Sequence, residues 1–176
     1  MKLLRLVLLA VVAPVYLLQG CDDASNEPLP NSGTALGASL CINIYETCID
    51  PIFHNATNTG QTCSQAGCHN LPGGAPVGGF GLNPGAAIGS PEMMVNFTSV
   101  EARTLNNSLL LNKAATLNGT PHGGLQQLSQ GDICYNAIAE WRSILAPTDG
   151  SACNMSSYSG VCFNSGAAAL VASCGP

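Results

Sequence analysis

Charge is what this chain has least of. Asp, Glu, Lys and Arg together make up 9% of its 176 residues, aromatic side chains 5%, and there is a single tryptophan. Basic residues are the scarcest class: beyond Lys2 and Arg5 the chain offers only Arg103, Lys113 and Arg142. A mature chain lacking residues 1 to 20 would set those three against ten acidic side chains, a net charge of −7. Such a balance excludes the basic footprint that grips phosphate backbones, so no nucleic-acid partner is expected. Long apolar runs are missing too. The longest, Leu6 to Leu18, has 13 residues, short of the roughly 20 needed to span a bilayer. Neither a carboxylate pair nor a nucleophile constellation stands out, which argues against an enzyme.

What the N-terminus does contain reads as export grammar: a short basic start, the apolar run, then Gly20 directly before Cys21. LQGC, Leu18 to Cys21, resembles the bacterial lipoprotein signal. The resemblance implies that residues 1–20 are a leader and that Cys21 takes a diacylglycerol. It would anchor the protein to a bacterial membrane facing the periplasm or cell surface. Residues 21–37, polar with Pro and Gly and without apolar period, read as a flexible tether. About 155 residues remain after the leader, enough for one domain with a core.

Nine cysteines in an exported chain suit an oxidising compartment. Residues 63 to 70 read CSQAGCHN. A cysteine followed directly by histidine, with another cysteine upstream, has the shape of a covalent haem-attachment site. Here four residues rather than the usual two separate Cys63 from Cys68. Two other readings stay open. Cys63 and Cys68 could pair with each other, leaving His69 in an exposed loop, or Cys63, Cys68, His69 and His122 could bind zinc. Oxidising conditions and the absence of finger-like spacing weigh against zinc. If lipid takes Cys21 and haem takes Cys63 and Cys68, six cysteines are left for disulfides: Cys41, Cys48, Cys134, Cys153, Cys162 and Cys174. Fifteen pairings are possible among six.

Along the chain, Cys41, Ile44, Tyr45 and Cys48 fall on one helical face, with Pro51 expected to end that helix. Asn70 to Pro91 is rich in Gly and Pro and nearly uncharged, an irregular stretch suited to wrapping a large apolar ligand. Thr98 and Glu101 form a capping box expected to open a short helix with Val100, Ala102 and Leu105, and Ser108 to Ala115 a second. Ser129 and Asp132 form a capping-box variant before the clearest amphipathic segment, which carries Ile133, Cys134, Ala137, Ile138, Trp141, Ile144 and Leu145 on one side and stops at Pro147. Trp141 reads as core, and His54 as a surface or loop residue. The tail, 148–176, has little apolar content and three cysteines, so disulfides are expected to staple it to the domain. Five N-x-S/T sequons occur, at Asn55, Asn96, Asn106, Asn118 and Asn154; they carry meaning only in a eukaryotic host.

Taken in order, DPIF at 50–53, the C-x4-C-H clasp, SLLLNKA at 108–114, PHGG at 121–124 and AEWRSILAP in the last helix resemble the cytochrome c-like domains of exported bacterial lipoproteins. The resemblance covers residues 38–147. It implies a mainly α, class I cytochrome c-like fold, with N- and C-terminal helices packed together around a haem and long Gly/Pro-rich loops. It further implies one covalently attached haem c, with Cys63 and Cys68 forming thioethers and His69 binding iron. His69 would then donate its other ring nitrogen to a backbone carbonyl of the following loop. His122 is the favoured sixth ligand, Met93 or Met94 the competitors, and an open position the remaining option. The implied function is single-electron transfer between redox partner proteins. The rival is a cofactor-free, disulfide-stabilised surface lipoprotein acting as a binding or structural module.

Overall fold

The structure, a computed structural model, describes residues 39–55, 60–72, 79–105, 109–117, 122–123, 126–147 and Cys153. The expected leader and tether, with Cys21, and all of the 148–176 tail but Cys153 lie outside the described residues, as do the sequons at Asn106, Asn118 and Asn154. Among the described residues the architecture is helical. The described residues hold no strand, only two isolated bridges, Leu40 with Leu145 and Asn70 with Leu82. No described helix is long and apolar enough to cross a membrane.

The first helical run, α1, joins a turn at Ile42–Ile44 to a π-helical stretch at Tyr45–Ile49 and closes as Asp50–Phe53. Pro51 was expected to stop this helix, and it does not. A proline ring clashes with the carbonyl four residues back and offers no N–H. The wider π turn just before it, in which Asp50 N–H reaches Tyr45 O, accommodates both defects. Cys41, Ile44, Tyr45 and Cys48 are all buried, as their spacing required.

The second helix, α2, spans Pro91–Leu105 and so begins well before the capping box at Thr98. Thr98 sits inside it, with its hydroxyl turned back onto Met94 O (3.0 Å) and Val95 O (3.1 Å). The start signal is Ser90, whose Oγ accepts from Met93 N at 3.1 Å, followed by proline in the first turn. Helix α3 is Leu109–Ala114, and α4 is Ile133–Trp141. At α4 the expected cap is present: Asp132 accepts from Tyr135 N at 2.6 Å and from Ser129 N at 2.7 Å. Past Trp141 the chain turns, and Leu145, expected on the apolar side, is exposed.

Helices α1 and α4 form the centre of the core. Trp141 is fully buried, its indole N–H donating to Cys41 O at 2.9 Å. Tyr45 lies 5.5 Å from both Trp141 and Phe97 by ring centres, which brings α2 into the same cluster. Ala146 N donates to Ser39 O at 2.6 Å, tying the two ends of the domain together. A disulfide joins Cys41 to Cys153, across 112 residues, and Cys48 and Cys134 are also disulfide-bonded.

Candidate functional site

The cysteine loop closes on itself despite its two additional residues. His69 N donates to Cys63 O at 3.2 Å, so the ends of the C-x4-C-H segment meet. Within it Gln65 N donates to Thr62 O (3.2 Å) and Cys68 N to Gln65 O (3.1 Å), while Gln65 Oε1 accepts from Thr62 N at 3.2 Å. Gly67 takes φ +84°, a conformation an L side chain resists, and this lets the longer loop turn back. Cys63 carries a free thiol that burial pushes up to about 12. Cys68 is buried and disulfide-bonded.

His69 is held from behind. Its Nδ1 donates to Phe80 O at 2.9 Å, and its ring packs edge-on against Phe80 with 4.6 Å between centres. In a neutral ring that bond leaves the lone pair on Nε2, the arrangement of a metal-binding imidazole. The Gly/Pro-rich segment supplies the carbonyl by folding back beside the clasp: Leu82 N donates to His69 O at 2.7 Å and Leu71 N to Leu82 O at 2.9 Å. Gly81 is required there, since a Cβ would stand 2.5 Å from Leu71 Cγ. Arg103 reaches over from α2, its guanidinium 5.1 Å from the Phe80 ring centre, and burial lowers its pKa.

Across from His69 stands His122, with 6.1 Å between ring centres and 35° between planes. Two imidazoles binding one ion from opposite sides at about 2 Å, each with about 1 Å from nitrogen to ring centre, would place their centres about 6 Å apart. The separation of the two ring centres matches that spacing. Met93 is buried in the hydrophobic core, and Met94 is half-exposed on the same helix. Among the described residues no group of three or more His, Cys, Asp or Glu side chains is placed to hold a metal ion, so the four-ligand zinc set is not assembled.

His54 lies in the turn that closes α1, as the sequence reading of a surface or loop residue allowed, but its side chain is engaged. Its Nδ1 lies 2.7 Å from Ser64 Oγ in the cysteine loop, and its Nε2 lies 3.1 Å from Asp50 Oδ2. Asp50, 4% exposed, also accepts from Tyr45 Oη (2.8 Å) and Asn96 Nδ2 (3.0 Å). Asp50 and His54 stand four apart, a spacing that could have flagged the pair on a helix face. Nothing in the sequence pointed to Ser64 or Asn96. Asn96 is fully buried, so its sequon is inaccessible to a glycan. Set against models of known families, curated proteins and solved structures, the chain matches none.

Proposed function

We propose that this chain is a mono-haem c-type cytochrome, exported and held to a bacterial membrane through lipid on Cys21, that passes single electrons between redox partner proteins. It acts as a carrier and not as an enzyme. The observation that carries the reading is the proximity of His69 and His122, 6.1 Å apart by ring centres. The closed C-x4-C-H loop and the bond from His69 to Phe80 O support it. The packing of α1 on α4 suits the cytochrome c-like arrangement that the sequence resembles. Cys63 and Cys68 would hold haem c by thioethers, and His69 and His122 would ligate iron. When bound, haem supplies a ferrous/ferric couple, and the protein's part is to fix the imidazoles and exclude water. A histidine pair gives a lower potential than a histidine–methionine pair.

A second reading, the cofactor-free disulfide-stabilised lipoprotein, is favoured by one observation: Cys68 is disulfide-bonded. Thioether formation requires both clasp sulfurs as thiols, so attachment would have to claim Cys68 before it pairs.

Expression of the full chain in a host with haem-attachment machinery separates the two. A carrier keeps its red colour through denaturation and acid extraction, whereas a colourless chain favours the second reading. His122→Ala should then remove the low-spin ferric spectrum. An unaltered spectrum would take His122 off the iron.

A further inference from the structure

We draw no further inference here: the strongest candidate, the open groove at the start of α2 lined by Leu71, Pro72, Asn83, Pro91, Glu92 and Val95, is a mostly apolar face, and nothing in the structure shows what covers it.

Discussion

Replacing Tyr45 by Phe isolates one interaction at the centre of the core. The phenol donates to Asp50 Oδ1 at 2.8 Å in a buried setting, while its ring packs on Phe97 and Trp141. Phe keeps both ring contacts and deletes the donor. A hydrogen bond to a charged group contributes about 1.5 to 3 kcal/mol, and Asp50 retains Asn96 as a donor, so about 2 kcal/mol is the expected loss. With a urea m-value of about 2 kcal/mol per molar for a domain of this size, the unfolding midpoint should drop by about 1 M. Alkaline pH supplies a second signature. Burial first, and then Asp50, raise the phenol pKa above its usual value of 10.0. The folded state therefore keeps a proton that the unfolded chain releases. The resulting stability is whole below pH 10 and lost as pH rises beyond it, by about 1.4 kcal/mol per unit. Cys63, raised by burial to about 12, adds its own loss above pH 9 in both proteins, so the difference between them isolates Tyr45. Urea titrations with disulfides intact, at pH 7 and pH 11, measure both effects. Midpoints that coincide at pH 7, or equal losses at pH 11, would refute the reasoning.

Cys63, if it carries no haem, should alkylate about a thousandfold more slowly at pH 8 than an ordinary thiol, because so little of it is thiolate; mass spectrometry after timed iodoacetamide treatment reads this directly. Gly81→Ala should destabilise by about 1 to 3 kcal/mol in denaturant titration, since its Cβ would press on Leu71 Cγ, 2.5 Å away, beside the carbonyl that holds His69. Cys153→Ser opens a link spanning 112 residues, and thermal unfolding should report a loss of up to about 4 to 5 kcal/mol.

Much of the helical plan was readable because it rests on local chemistry. The cap at Asp132 and the buried positions Cys41, Ile44, Tyr45 and Cys48 of α1 and Cys134, Ala137, Ile138 and Trp141 of α4 follow from side-chain type and spacing, and each is where the sequence placed it, whereas Leu145 is not. The failures share a cause, competition between two local signals. Thr98 offered a cap, but the stronger pair Ser90 and Pro91 lay eight residues upstream, and Thr98 was absorbed into the helix. Pro51 offered a stop, but a π turn removed the clash, and no single-residue preference encodes that. At the site, the expectation that His69 would find a loop carbonyl came from metal chemistry. That the carbonyl belongs to Phe80 depends on how residues 79–82 return to the clasp, a long-range fact. The approach of His122 to His69, across 53 residues of chain, was an implication of the resemblance and not of any pattern in the residues themselves. His54 was passed over because its partner Ser64 comes from a different segment.

The central claim concerns what occupies the two clasp sulfurs, and the intact mass of the exported chain, denatured but not reduced, addresses it most directly. The account predicts a mass increased by one haem, with the increment lost when Cys63 and Cys68 are both changed to Ser. A chain at its protein mass alone, with Cys63 still open to alkylation and Cys68 paired to another cysteine, would contradict it.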